Sequence, residues 1–356
     1  MKIAAIVQKI QPIGKEWAEK ARERTAQLAI PPRALGRLHD ISEQLCGISA
    51  TLSPEVNRRA ILVMAGDHGV VAEGVSAFPQ EVTGEMVRNF IRGGAGINAL
   101  ARCAKADVIV VDMGIIPDVD TSSLEEKDRF RLCKVGRGTA NLTRGQAMTR
   151  EQAEMAILSG FQVASELFLK GIELIGTGDM GIGNTTPSAA IGVALTGSSV
   201  EEMVGRGTGI DDESLLKKRS IIQQAMTINR PDPSDGLDVL AKVGGFEIGG
   251  IAGCILAGAY HRRPVVIDGF ISTAGALVAQ ALCPSVVDYL FSGHCSEEAG
   301  HRIMLQHLGL EPILDLRMRL GEGTGGALAM CVIEGAVRVF KEVLTFDDAG
   351  VSKQPR

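Results

Sequence analysis

Apolar positions along the chain fall into short runs separated by longer stretches of helical spacing. The clearest runs are residues 61–65, 108–112, 172–175 and 265–268, each followed by a glycine: Gly66, Gly114, Gly176 and Gly269. Continuous apolar runs of this length, bounded by turn residues, predict strands buried on both faces. A weaker run spans 286–291. Between the strands, apolar residues recur at helical spacing near 80–104, 151–169, 212–227 and 246–260. Two more helices are predicted before the first strand. In 14–29, Trp17, Ala21, Thr25 and Leu28 share a face, and Pro31-Pro32 ends the pattern. In the second, Leu35, Leu38, Ile41 and Leu45 form the apolar side. The last strong helical pattern covers about 325–342 and is expected to pack back against those two. Apolar strands alternating with helices predict an α/β fold, a parallel sheet with helices on both faces. In such a sheet the ligand sits at the carboxyl ends of the strands, where these glycines fall.

The loop after the third run is the most informative. The strand Ile172-Glu-Leu-Ile175 is read as stopping at the cluster Gly176-Thr-Gly-Asp-Met-Gly-Ile-Gly183. A helix then opens at Thr185-Thr186-Pro187, with Thr as N-cap and Pro in the first turn. Strand, glycine loop and helix N-terminus make an anion cradle, which points to an enzyme of nucleotides or sugar phosphates. Four other loops carry chemistry: Ala65-Gly-Asp-His-Gly69 with Ser76-Ala-Phe-Pro-Gln80, Gly205-Arg-Gly-Thr-Gly-Ile-Asp211, Asp268-Gly-Phe-Ile-Ser272, and Leu320-Gly-Glu-Gly-Thr-Gly-Gly326.

Composition narrows the field. Of 356 residues, 45% are apolar and 22% charged, ordinary for a globular chain, but 43 are glycine. Aromatics are only 4% and the net charge is −5, which argues against nucleic acid and against an anionic membrane surface as partners. The seven cysteines are scattered, with no C-x-x-C pair, as expected for reduced thiols in a cytoplasmic protein. The apolar run 3–7 is too short for a secretory signal, and no uncharged run approaches a membrane span.

Single residues leave alternatives open. Gly176-x-Gly178-x-x-Gly181 is a literal dinucleotide fingerprint, but the acidic residue required some 20 positions on is replaced by Thr196-Gly-Ser-Ser-Val-Glu-Glu, which reads as a loop entering a helix. Glu322, flanked by Gly321 and Gly323, is either a carboxylate aimed into a cleft or an acidic group favoured by a helix dipole. Asp67-His68 is either an acid/base pair or, since adjacent side chains usually diverge, a structural His at a strand end, which is the favoured reading. His294 and His301 are read as a solvated helical face capped by Ser296, since two turns of helix put them about 10 Å apart. Asp211-Asp-Glu213 reads as an N-terminal charge cluster, and Lys218 as a phosphate ligand or one more exposed lysine like Lys217 and Arg219. No metal site is expected.

Taken in order, Ala-Gly-Asp-His-Gly-Val, Gly-Asp-Met-Gly-Ile-Gly-Asn-Thr-Thr-Pro, Val-Gly-Gly-Phe-Glu, Asp-Gly-Phe-Ile-Ser and Arg-Leu-Gly-Glu-Gly-Thr-Gly resemble the nicotinate-nucleotide:5,6-dimethylbenzimidazole phosphoribosyltransferases of cobalamin nucleotide-loop assembly. The resemblance extends over nearly the whole chain, including Pro32-Arg-Ala-Leu-Gly-Arg-Leu38. It implies a Rossmann-like catalytic domain over 56–326, a small helical domain from 1–55 with 327–356, and a homodimer. It implies transfer of phosphoribose from nicotinate mononucleotide to a benzimidazole nitrogen, with inversion at the anomeric carbon and no cofactor. By motif, Glu322 looks like the general base, Gly181, Gly207 and Lys218 like parts of the phosphate site, and Leu320 like a wall of the base pocket. Asp179 stands where some members have Glu, near the reacting ribose. Phe78 and Met86 stand where some members carry Ser and Gln against the base, making that pocket more apolar. The competing expectations are an NAD-dependent dehydrogenase, distinguishable by nicotinamide-cofactor binding, and a catalytically silent nucleotide-binding protein, against which Glu322 speaks.

Overall fold

In the computed structural model, which describes residues 2–120, 129–205 and 212–352, the apolar runs pair into one sheet. Its strands are β1 (Arg59–Gly66), β2 (Ala106–Gly114), β3 (Phe130–Leu132), β4 (Leu174–Met180), β5 (Val265–Ile267), β6 (Leu290–His294) and β7 (Pro312–Leu314). The order is β3-β2-β1-β4-β5-β6-β7 and every pairing is parallel. All eight residues of β1 are buried, as a central strand covered on both faces requires. The chain winds outward from β1 to β3, then returns to β4 and winds the other way. That reversal splays the loops after β1 and β4 apart, leaving a crevice at their carboxyl ends.

The α/β expectation holds, with differences in detail. The helical stretch near 80–104 is two helices, Glu81–Arg92 and Gly96–Cys103, because Gly93 caps the first in a left-handed conformation (φ 80°). The weak strand at 286–291 is a 3₁₀ turn, Pro284–Tyr289, leading into β6. The helix Phe270–Leu282 shows no sequence period because it is buried all round from Phe270 to Ala279. β4 does not stop at Gly176 but runs on to Met180. Its glycines lie inside a central strand, where they mark close approach of neighbouring groups.

The helix Thr324–Glu342 packs against β4 and β6 and also against the helix Arg37–Ser49. Near its far end, Phe340 buries together with Ala21 and Cys46. The chain ends are stitched by Ala29 N donating to Leu344 O (2.9 Å) and Phe346 N to Gln27 O (3.0 Å). Arg59 fixes the same helix to the start of β1: buried, it donates to Val56 O (2.6 Å), Ala104 O (2.9 Å) and the Glu334 carboxylate (2.6 Å). All seven cysteines are free thiols. Among the described residues, no helix is long and apolar enough to cross a membrane.

Candidate active site

Glu322 sits in a turn no ordinary sequence adopts. Gly321, Glu322 and Gly323 have φ of +82°, +64° and +94°, three left-handed residues in succession. Flanking glycines accept this freely, but Glu322 carries a cost of about 1–2 kcal/mol, so surrounding contacts must hold it. The turn leads directly into the helix Thr324–Glu342. The Thr324 hydroxyl donates to Gly321 O (2.8 Å), Gly323 N donates to Asp268 Oδ2 (3.1 Å) and Gly326 N to Asp268 Oδ1 (2.9 Å). The carboxylate of Glu322 turns inward, only 5% exposed, where its Oε2 accepts from Ile97 N (3.0 Å) at the start of the helix Gly96–Cys103. On the sheet side the turn rests on Gly178, where a Cβ would lie 2.3 Å from Glu322 O.

The end of β4 supplies the opposite wall. Asp179 pairs in register with Met64 of β1, at the strand-order reversal. Its Oδ2 accepts from the Asn184 side-chain amide (3.0 Å), and its buried Oδ1 has no partner. A Cβ on Gly321 would lie 3.2 Å from Asp179 Oδ2, so the Glu322 turn and Asp179 are immediate neighbours. Gly181 lets the loop pass beneath β1, since a Cβ there would be 2.3 Å from Gly66 O. The helix Thr185–Thr196 then begins, and the Thr185 hydroxyl accepts from Lys218 Nζ (2.7 Å). Lys218 is 2% exposed. Burial pulls its ammonium down to about 8, with Glu298 acting weakly the other way. A buried cation held against a helix N-terminus is an arrangement that can receive an anion.

Four carboxyl groups converge behind this crevice: Asp179, Asp268, Glu247 and Glu322. Burial, then Asp268, holds the Asp179 carboxyl well above its usual range, with the Asn184 amide offsetting part. Burial also raises Glu322, and Asp268 adds to it, against the Ile97 N–H. Asp268 is raised by burial and opposed by His294 and the helix amides. His68 Nε2 lies 2.9 Å from Glu247 Oε1, out of line for a hydrogen bond, and both groups are buried. One cleft is lined by Asp179, Gly181, Thr185, His294, Leu320 and Gly321. Such a site can place an anion at Lys218, keep a carboxyl poised to take a proton, and surround a developing positive charge with acidic groups.

The profile of a family described as phosphoribosyltransferase matches residues 10–351. The nicotinate-nucleotide–dimethylbenzimidazole phosphoribosyltransferase of Geobacter sulfurreducens is 53% identical over 346 residues, spanning 97% of each chain. That of Geobacter metallireducens is 52% identical over 345 residues, 97% of this chain and 96% of the relative. A solved structure, CobT from Thermus thermophilus, is 47% identical with a TM-score of 0.91, covering 95% of this chain and 100% of that one. The chain belongs to the nicotinate-nucleotide–dimethylbenzimidazole phosphoribosyltransferase family. It is accordingly a pentosyl-transferring enzyme of cobalamin biosynthesis, which removes the dehydrogenase and silent-protein alternatives.

Of the residues the family resemblance singles out, the structure brings Glu322, Asp179, Gly181, Lys218 and Leu320 around one crevice. Gly207 lies outside the described residues, as does Asp211. Phe78 is half exposed (51%) and Met86 half buried, on the helix Glu81–Arg92, whose Thr83 hydroxyl accepts from Ile182 N (3.1 Å). Two local readings are corrected and one open alternative is resolved. The N-cap of the helix after β4 is Asn184, not Thr185, and its amide is spent on Asp179. Lys218 is not a surface lysine, whereas Lys217 is exposed. His294 and His301 share no solvated face: His294 ends β6, His301 opens a new helix, and both are buried. His301 Nδ1 accepts from Ser296 N (2.8 Å), leaving Nε2–H for the Thr273 hydroxyl (2.9 Å); burial and then His294 hold it down at about 3, so it stays neutral. Asp67 and His68 do diverge, Asp67 Oδ2 accepting from Ile116 N (2.7 Å). Asp268 and Glu247 also stand at the site; both lie inside sequence motifs, Asp268-Gly-Phe-Ile-Ser272 and Val243-Gly-Gly-Phe-Glu247, that gave neither residue a role.

Proposed function

We propose that this enzyme transfers the phosphoribosyl group of nicotinate mononucleotide to 5,6-dimethylbenzimidazole or a related base, giving α-ribazole 5′-phosphate and nicotinate. The observation that carries this reading is Glu322, a buried carboxylate on a strained turn beside the strand-order crevice, in a chain about half identical to proteins bearing that name. The glycosidic bond to the pyridinium nitrogen breaks and its electron pair leaves with nicotinate. One benzimidazole nitrogen attacks the anomeric carbon from the opposite face, inverting it. The proton on the other ring nitrogen passes to Glu322. The leaving ring is neutral at nitrogen, so no pyrophosphate must be screened and the scheme needs no cofactor. The acidic side chains behind the crevice favour the positive charge that builds on the ribose. Incubation with both substrates should yield α-ribazole phosphate by mass spectrometry; release of nicotinate to water alone, with no base adduct, would overturn the reading.

Lys218 and the N-terminus of the helix Thr185–Thr196 are the phosphate receptor in this scheme. Lys218→Ala should weaken nicotinate mononucleotide by about 10- to 150-fold, the worth of a charge-assisted contact of about 1.5–3 kcal/mol, and leave the benzimidazole nearly unaffected. Because burial brings the lysine down to about 8, its charge is lost as pH rises through that value, and nucleotide affinity should fall there in the native enzyme and not in the variant. Equal weakening of both substrates in calorimetry would show that Lys218 is not the phosphate ligand.

Phe78, Met86 and Leu320 supply apolar surface for the base; Phe78→Ala should raise KM for the base and not for the nucleotide. The enzyme acts as a cytoplasmic homodimer, its free thiols suiting a reducing compartment; a monomer mass by light scattering at working concentration would refute the dimer. Residues 1–55 with 327–356 act as a small domain. Their amides should open together, separately from 56–326, in native-state hydrogen exchange.

A further inference from the structure

We infer that Asp268 is a positioning residue for the transfer: its carboxylate clamps the turn that carries Glu322 onto the first turn of the helix behind it. The inference rests on the reading of Glu322 as the general base. Asp268 directly follows β5 and is fully buried. Its two oxygens divide between two amides, Oδ2 taking Gly323 N (3.1 Å) and Oδ1 taking Gly326 N (2.9 Å). These amides belong to the start of the helix Thr324–Glu342, where N–H groups have no partner within the helix and the dipole favours negative charge. The clamp therefore spans the helix start and ends on the residue next to Glu322.

Glu322 needs such a clamp. It is the non-glycine member of three consecutive left-handed residues, a conformation that persists only where surrounding contacts over-determine it. Ile97 N holds the carboxylate end, the Thr324 hydroxyl holds Gly321, and Asp268 holds Gly323. The space beneath is filled by His294, whose ring lies so close against Gly325 that a Cβ there would be 2.0 Å from His294 Cδ2. His294 Nε2 stands 3.7 Å from Asp268 Oδ1, too far to compete for its lone pairs. The other charged or titratable groups about the turn include Asp179 and Glu247 on the sheet side, Arg319 just before the turn and His301 behind His294.

Because both oxygens of Asp268 accept, the ionised carboxylate is the form the helix start holds. That charge disfavours ionisation of Glu322. Its removal should therefore let Glu322 stay ionised to lower pH, moving the acidic limb of the rate profile downward while the displaced base works less well. Asp268→Asn keeps the size but turns an NH₂ toward one of the two amides.

The test is a double-mutant cycle of Asp268→Asn with Glu322→Gln, read in kcat, KM and pH profile. Asp268→Asn alone should lower kcat by about 10²-fold, the cost of an ångström-scale misplacement. KM for nicotinate mononucleotide should change by less than about threefold and the acidic limb should shift to lower pH. In the Glu322→Gln background the same change should cost less than about threefold, since there is no base left to position. An equal loss in both backgrounds, or an unchanged kcat and limb, would overturn the inference. If Asp268→Asn does not fold, Asp268→Glu carries the same comparison: it keeps the charge and shifts the acceptors by one methylene, so kcat should fall with Glu322 present and not without it. Near-normal turnover of Glu322→Gln on its own would instead sink the base assignment, whatever Asp268 does.

Discussion

Replacing Glu322 by Gln should lower turnover by about 10²–10⁴-fold while nicotinate mononucleotide still binds. The attacking ring nitrogen can form its new bond only by building positive charge on the benzimidazole, unless its partner nitrogen loses a proton. A carboxylate within hydrogen-bond reach removes that charge as the bond forms. Gln keeps the shape, and its amide oxygen can still accept from Ile97 N, so the turn should survive. What is lost is the proton acceptor. Burial and the neighbouring Asp268 hold the Glu322 carboxyl above its usual range. The base is active when ionised, so the native rate should fall as pH drops through that raised value, and the variant should lose this acidic limb. Nucleotide affinity, which the proposed scheme assigns to Lys218, should stay within a few-fold. A variant with near-normal kcat and an unchanged limb would move the role of base elsewhere. Asp179 is the next group to test: its Oδ1 is buried without a partner and faces the same turn.

What the sequence made legible follows from how local each signal is. Glu322 stood out because a lone acid between glycines ahead of a helix is either a cleft carboxylate or a partner of the helix dipole, and only the family motif chose between them; the turn it occupies does need glycine on both sides. The alternation of apolar runs and helices was readable because a parallel sheet demands it. The three-residue edge strands β3 and β7 carry too little pattern to be seen. Lys218 could not be separated from Lys217 in one dimension; only the helix Asp212–Asn229 decides which lysine faces Thr185. The buried histidines were misread for the same reason, since helical spacing was assumed across a strand end and a turn. The end of β4 was misread because glycine after an apolar run usually marks a loop. Here it marks a strand pressed between β1 and the Glu322 turn, a fact that belongs to residues far away in sequence.

That pressure gives the other large expected effect, in Gly178→Ala. A methyl at this position would stand 2.3 Å from Glu322 O, 2.6 Å from its carbonyl carbon and 2.8 Å from Gly323 N. All three are backbone atoms, so no rotamer change relieves the clash. β4 is held by β1 and β5 on its two sides and cannot yield far. The turn must move, by about an ångström, and with it the carboxylate, the Ile97 N–H bond and the Asp268 clamp. Misplacement on that scale costs about 10²-fold in rate, and overpacking of this kind about 1–3 kcal/mol in stability. The loss should appear in kcat and in thermal stability, with the nucleotide KM much less affected because Lys218 and Thr185 lie beyond the turn. Gly335→Ala in the helix Thr324–Glu342 is the matched control: nothing lies within 4 Å of its added methyl, and Ala in a helix interior is favoured over Gly by about 1 kcal/mol, so it should be slightly stabilising and fully active. A Gly178→Ala enzyme as active and as stable as that control would mean that β4 does not support the turn, and that Glu322 is placed by Ile97 and Asp268 alone.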